Sequence, residues 1–210
     1  MQVESPQRGL LIAFEGIDGS GKSSHLRQLA AFLREQGLQV VETREPTNGI
    51  HGRRIRSLFT KRELLSKEEE LELFLLDRRD HVERCINPAL AAGRIVLTDR
   101  YYFSTAAYQG AAGMDTAAIF AQNGFAPEPD LVLLLRVPPE EGVRRIREQR
   151  RERPNDFEQE DQLIKVDKLF ASFSQPYIKR IDSTRERSSV QAQIRQLVRE
   201  LCHARGFTCA

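Results

Sequence analysis

Short apolar runs alternate along the chain with longer stretches in which apolar residues recur every three or four positions. Leu10 to Glu15 is the first run and ends at Gly16. From Ser23 to Gln36 the spacing turns helical, with Leu26, Leu29, Ala30 and Leu33 on one side, and Gly37 closes that helix. Gln39 to Thr43 predicts a second strand, stopped at Arg44-Glu45-Pro46 because the residue before a proline is held extended. Ser66 and Glu69 form a capping box at the head of a long helix to about Ala92, with Leu71, Phe74, Leu75, Val82 and Cys85 on one side and a bend at Pro88. Ile95 to Thr98 and Leu131 to Val137 read as central strands of a parallel sheet. Pro138, Pro139, Glu140 and Glu141 open a further helix that enters an arginine-rich segment and stops near Pro154. Ile178 to Ile181 predicts a last short strand, and Val190 to Leu201 an amphipathic closing helix. Strands alternating with helices predict an α/β fold: a doubly wound, parallel, five-stranded sheet flanked by helices, with ligands at the carboxyl ends of the strands.

At 210 residues the expectation is one domain, 1–210, with a short arginine-rich lid at about 144–158. Forty per cent apolar and thirty per cent charged residues describe an ordinary globular chain. The formal charge of +2 argues against nucleic-acid or membrane binding through the whole surface, so basic function must come from local clusters. No apolar run approaches the roughly 18 residues of a membrane span, and the chain is expected to be cytoplasmic. Cys85, Cys202 and Cys209 have neither disulfide-framework nor zinc spacing; the expectation is a buried thiol at Cys85 and a loose tail carrying the other two.

The chemistry begins at Gly16-Ile17-Asp18-Gly19-Ser20-Gly21-Lys22-Ser23, which matches G-x-x-x-x-G-K-[ST] between a strand and a helix N-terminus. Glycines let backbone N–H groups turn towards a phosphate, the helix terminus adds a favourable dipole, Lys22 bridges β- and γ-phosphate oxygens and the Ser23 hydroxyl faces Mg²⁺. This stretch, with Ser24 after it, is the candidate ATP site, and Lys22 is a candidate catalytic residue. By itself it does not separate kinases from GTPases, ATPases or transport motors.

Asp99, closing an apolar strand, suits a Walker-B-like aspartate acting on Mg²⁺ directly or through water, or a simple capping role. Arg44 and Arg100 end neighbouring strands, so a parallel sheet brings both to the rim of the phosphate loop, where they suit a second anion. Phe74 and Arg78 share a helix face and suit a base held by stacking and hydrogen bonding, unless Phe74 is core and Arg78 a solvated charge. Arg144, Arg145, Arg147, Arg150, Arg151 and Arg153 crowd ten residues. Such a run is a solvated face, a lid that brings cations to a transferring phosphoryl group, or a nucleic-acid patch, the last disfavoured by the near-neutral total charge and the lack of interleaved aromatics.

With these segments in order, the chain resembles thymidylate kinases over nearly its whole length. Thr43-Arg44-Glu45-Pro46 and Asp99-Arg100-Tyr101-Tyr102-Phe103-Ser104-Thr105-Ala106-Ala107-Tyr108-Gln109-Gly110 are similar to that family's signatures. The resemblance implies a P-loop NTPase fold and a Mg²⁺- and ATP-dependent kinase making dTDP from dTMP, working as a homodimer packed through long helices. It implies that Asp18 accepts the 3′-hydroxyl of the deoxyribose and that Arg44 and Arg100 hold the monophosphate. It also puts Phe74 on thymine, Arg78 at a base carbonyl, Thr105 near the ring nitrogen, Tyr108 against the sugar, and Ser104 and Gln109 in the same substrate site. The phosphate loop carries no arginine, which resembles the subclass whose catalytic arginines come from the lid; with Arg100, the candidates are Arg147, Arg150, Arg151 and Arg153. After the lid, Asn155-Asp156-Phe157-Glu158 stands where many relatives carry Asp-Arg-Phe-Glu, and Thr47 and Asn48 replace glycines common after Arg-Glu-Pro. The rival readings are a kinase of another monophosphate or of a deoxynucleoside, and a P-loop ATPase or nucleotide-binding module without an acceptor.

Overall fold

The computed structural model describes residues 7–59, 65–150 and 160–208. Five strands form one all-parallel sheet in the order β2-β3-β1-β4-β5: β1 (Leu11–Glu15), β2 (Val40–Arg44), β3 (Ile95–Asp99), β4 (Leu131–Arg136) and β5 (Ile178–Asp182). β1, β3 and β4 are almost wholly buried, as continuous apolar runs covered on both faces must be. The edge strands β2 and β5 are part exposed. On one face, α1 (Lys22–Glu35) and α9 (Arg187–Ala204) enclose a core of Leu29, Leu33, Ile194 and Val198. On the other lie α3 (Lys67–His81), α4 (Asn87–Ala91), α5 (Tyr102–Ala111), α6 (Thr116–Gln122) and α8 (Glu160–Ser172), around Leu71, Phe103, Phe170 and Val166. α2 (Ile50–Ser57) packs beside α3, and α7 (Pro139–Arg150) leaves the sheet after β4.

The expected α/β sheet is present, with differences in detail. The capping box forms as read: Ser66 Oγ accepts from the Glu69 N–H at 3.2 Å and Glu69 accepts from the Ser66 N–H at 2.8 Å. The long helix does not simply bend at Pro88; it opens into a π turn over Val82–Ile86, where the Asn87 N–H reaches back to Val82. A proline ring crowds the carbonyl four residues earlier, here Arg84, and the wider turn relieves that clash. The cysteine reading also needs correction. Cys202 is fully buried, because α9 runs on to Ala204 and carries the Val190, Ile194, Val198 stripe one turn further. Cys85 is only half buried, and Cys209 lies outside the described residues. No helix among the described residues is long and apolar enough to cross a membrane.

Candidate active site

Sheet register fixes where the site lies. Phe14 pairs with Asp99 and Arg44 pairs with Asp99, so β1, β2 and β3 end on one rim. From that rim the chain turns through Gly16, Gly19 and Gly21, all at positive φ. A Cβ at Gly16 would meet the Leu135 carbonyl oxygen at 2.2 Å, and one at Gly19 would meet that of Gly142 at 2.3 Å. Only glycine lets the loop press this closely against β4 and the first turn of α7.

Lys22, at the head of α1 and followed by Ser23 and Ser24, folds its amine onto the Gly16 and Ile17 carbonyl oxygens at 3.0 and 2.8 Å. Burial, helped by the Arg100 charge, pushes its ammonium down to about 8 against the pull of Asp18, Asp99 and Glu15. A desolvated cation in that position favours an incoming anion. The Ser23 hydroxyl donates to the Asp99 carboxylate, which brings the two expected metal-facing groups together. Among the described residues no cluster of three or more His, Cys, Asp or Glu side chains could hold a metal. One hydroxyl and one carboxylate, both hard oxygen donors, still suit a Mg²⁺ ion that takes its other positions from phosphates and water.

Arg100 is the one non-glycine residue at positive φ (74°) among those described. Its guanidinium donates to Asp18 Oδ1 at 2.7 Å, Ser104 Oγ at 2.8 Å and the Gly16 carbonyl at 3.3 Å, and lies 5.3 Å from the Tyr108 ring centroid. Asp18 also accepts from the Tyr108 hydroxyl at 3.0 Å. Burial would raise the Asp18 carboxyl, but the Arg100 and Lys22 charges outweigh it and hold it at about 2. Glu15, buried at the end of β1, is pushed up by that burial to about 7 against the opposing effects of Ser104, Arg100 and Tyr101.

Arg78 is neither core-peripheral nor solvated. It is 1% exposed and donates through Nε and Nη2 to Glu45 Oε2 at 3.0 and 2.6 Å, through Nη2 to Thr105 Oγ1 at 2.9 Å and through Nη1 to Asn123 Oδ1 at 2.6 Å. A guanidinium has five N–H groups, so these four bonds leave one on Nη1. Glu45 Oε1 meets His81 Nδ1 at 2.9 Å. Burial opposes charging of His81, yet its contacts with Cys85 and Glu45 raise it to about 9. Arg78 and His81 likewise keep Glu45 below the usual carboxylate range despite its burial.

Beside these groups lies a cavity of about 310 Å³ whose lining includes Asp18, Arg44, Phe74, Arg78, Asp99, Arg100, Ser104, Thr105, Tyr108 and Gln109. Every expected acceptor-site residue is therefore in one place. Gln109 is fully buried, its Nε2 donating to Glu70 at 2.9 Å. Of the lid candidates, only Arg147 has a described side chain, and it does not line the cavity. Arg147 is exposed on α7, and Arg151 and Arg153 lie outside the described residues. Arg145 instead reaches the Gly19 carbonyl at 3.5 Å and the Ser183 carbonyl at 3.1 Å while paired to Glu141.

Five lining residues were given no site role by the sequence: Glu45, Pro46 and Tyr101, which stood only inside the signatures, and Arg56 and Phe59, which were not singled out at all. Arg56 donates to the Pro46 and Thr47 carbonyl oxygens at 2.8 and 2.6 Å, and its Nη2 meets Asn48 Oδ1 at 3.2 Å, where Arg44 also donates at 3.0 Å. The Asn48 side-chain oxygen thus accepts from the guanidinium groups of two cavity-lining arginines. The only hint in the sequence was the basic cluster Arg53, Arg54 and Arg56, which spacing alone cannot tell from a solvated face.

A family model described as thymidylate kinase matches residues 14–194, from the end of β1 into α9. The chain belongs to the thymidylate kinase family. A thymidylate kinase of Desulfotalea psychrophila is 53% identical over 193 residues, covering 92% of this chain and 96% of its own. One from Xanthomonas campestris pv. campestris (strain B100) is 48% identical over 199 residues, 94% of this chain and 86% of the relative, and one from Xanthomonas oryzae pv. oryzae (strain PXO99A) is 44% identical over the same share. The match takes in the phosphate loop, the cavity walls and the described part of α7, so thymidylate kinase membership and the site's geometry concern the same residues.

Proposed function

We propose that this chain transfers the γ-phosphoryl group of ATP to dTMP, releasing dTDP and ADP. The observation that carries the reading is the continuity of a phosphate loop with a cavity whose far wall is Phe74, Arg78, Thr105 and Gln109 and whose near wall is Asp18, Arg100 and Tyr108. Kinases of this kind need positioning and charge neutralisation more than a strong base, because a phosphate oxygen of the acceptor is already anionic near neutral pH.

In this reading the phosphate loop, with Lys22, holds the β- and γ-phosphates, and Arg44, Arg56 and Arg100 hold the dTMP phosphate. An oxygen of that phosphate attacks the γ-phosphorus, the bond to the β,γ-bridging oxygen breaks and ADP leaves. Arg100 already spans Gly16 and Asp18, which suits it to both phosphate groups as charge moves between them. Asp18 takes the 3′-hydroxyl, Tyr108 packs on the sugar, and Phe74 stacks on the base. The remaining Nη1–H of Arg78, with Thr105 and Gln109, meets the pyrimidine edge. Ser23 and Asp99 would hold Mg²⁺, which supplies charge neutralisation on the transferring phosphates. Arg147, Arg151 and Arg153 are carried forward as lid cations, and a homodimer as the working assembly, which light scattering would report as twice the chain's mass.

The test is chromatographic product analysis with dTMP and Mg²⁺-ATP. Equal amounts of ADP and dTDP support the proposal; ADP without dTDP contradicts it.

A further inference from the structure

Glu15 occupies a position that needs a reason. It is the last residue of the central strand β1, wholly buried between β3 and β4, after four apolar residues of its own strand and opposite Leu134 of β4. A buried carboxyl costs several kcal/mol unless it is fully hydrogen-bonded. It does not line the cavity, and neither the phosphate-loop motif nor the acceptor pocket uses it.

Its oxygens account for themselves in one direction only. Oε1 accepts from the Tyr101 N–H at 2.8 Å and the Ser104 N–H at 3.2 Å, and Oε2 accepts from Ser104 Oγ at 2.5 Å. α5 begins at Tyr102, and its own N-cap residue, Tyr101, makes no side-chain capping hydrogen bond. The first N–H groups of a helix need acceptors, and here the neighbouring strand supplies one.

The same contacts bear on Arg100. A left-handed backbone costs an arginine roughly 1–2 kcal/mol, so the surroundings must hold it. β1 supplies both holds on its N–H side: the Phe14 carbonyl accepts from the Arg100 N–H at 2.9 Å, and Glu15 accepts from the next N–H, that of Tyr101. Thr98 Oγ1 donates to the Arg100 carbonyl at 2.7 Å. At the other end of the side chain, Arg100 Nη1 donates to Ser104 Oγ, and that hydroxyl spends its single proton on Glu15. With Glu15 ionised, the chain Arg100 to Ser104 to Glu15 runs in one direction: the carboxylate accepts the Ser104 hydroxyl hydrogen bond, so the Ser104 lone pairs face Arg100.

We propose that Glu15 is a positioning residue for phosphoryl transfer, fixing the Arg100 backbone through the Tyr101 N–H and its guanidinium through Ser104. It acts through Arg100 and touches no substrate. The inference rests on the assignment of Arg100 to the dTMP phosphate, and the experiment separates the two.

Steady-state kinetics of Glu15→Gln, Arg100→Ala and the double variant form a cycle. Glutamine keeps one carbonyl oxygen for the Tyr101 and Ser104 N–H groups but cannot accept the Ser104 hydroxyl proton, so the helix cap survives and the side-chain limb is cut. The expected result is a kcat lower by about tenfold and a severalfold higher KM for dTMP, with KM for ATP unchanged. On the Arg100→Ala background, Glu15→Gln should add little. Ser104→Ala, which cuts the same limb from the other side with a small truncation, should behave in the same way and serves if Glu15→Gln does not fold. Equal losses on both backgrounds, or a KM for ATP that rises as much as that for dTMP, would overturn the proposal. An Arg100→Ala variant with full dTMP turnover would instead overturn the assignment of Arg100 itself.

Discussion

Replacing Arg78 by methionine tests the buried network that holds the Arg78 side of the cavity. The substitution removes the bonds to Glu45, Thr105 and Asn123 and leaves Glu45, itself buried, with its His81 contact. Stranding one partner of a buried ion pair costs about 3–5 kcal/mol, and the remaining imidazolium places the cost at the lower end. Domains are stable by only about 5–15 kcal/mol, so the loss is large. With a urea dependence of about 1–3 kcal/mol per M, the unfolding midpoint should fall by about 1–3 M. Chemical denaturation followed by circular dichroism at pH 7 reads this directly. Adding Glu45→Gln to Arg78→Met removes the stranded charge and should recover about half of the loss. A single substitution that leaves the midpoint within about 0.3 M of wild type, or a double variant worse than either single, would refute the reasoning.

Further outcomes follow from the same geometry. Lys22→Ala should lower kcat by about a hundredfold to a thousandfold while equilibrium titration finds dTMP affinity little changed; equal loss of both in a folded variant contradicts the role. Phe74→Ala should raise KM for dTMP about tenfold or more and leave KM for ATP alone, since stacking on a base is worth roughly 1–3 kcal/mol. His81 is raised in the fold from its ordinary value to about 9, so its charged form is favoured there. Its contribution to stability is complete below about 6.5 and lost as pH rises through about 9. Melting temperature should decline across that window, and His81→Asn should flatten the decline.

The parts of the fold written in local pattern were legible. β1, β3 and β4 are runs of apolar residues long enough to be buried on both faces, and the Ser66 capping box is a bond between residues three apart. The phosphate loop was legible for the same reason, since its glycines and Lys22 act within eight consecutive residues. What pattern could not supply were partnerships across the chain. Arg78 reads as a solvated charge until Glu45, thirty-three positions away, is brought against it by the end of β2. Glu15 reads as the polar end of a strand until Ser104 arrives from α5. Arg56 was not singled out at all, because its acceptors are backbone carbonyls, which no side-chain pattern records. Cys202 was placed in a loose tail because the apolar stripe of α9 was stopped one turn early, at Leu201.

The most direct measurement of the central claim is ADP release from Mg²⁺-ATP by the purified protein with dTMP, dUMP, dCMP, dGMP, AMP, UMP and thymidine compared as acceptors. Release that depends on dTMP and clearly exceeds that with UMP and with thymidine is the predicted result, because the proposed reading assigns the cavity residues Phe74 and Arg78 to a pyrimidine, Tyr108 to a 2′-deoxy sugar and Arg44 and Arg100 to a phosphate. Release indifferent to every acceptor, from folded protein that binds ATP, would contradict it.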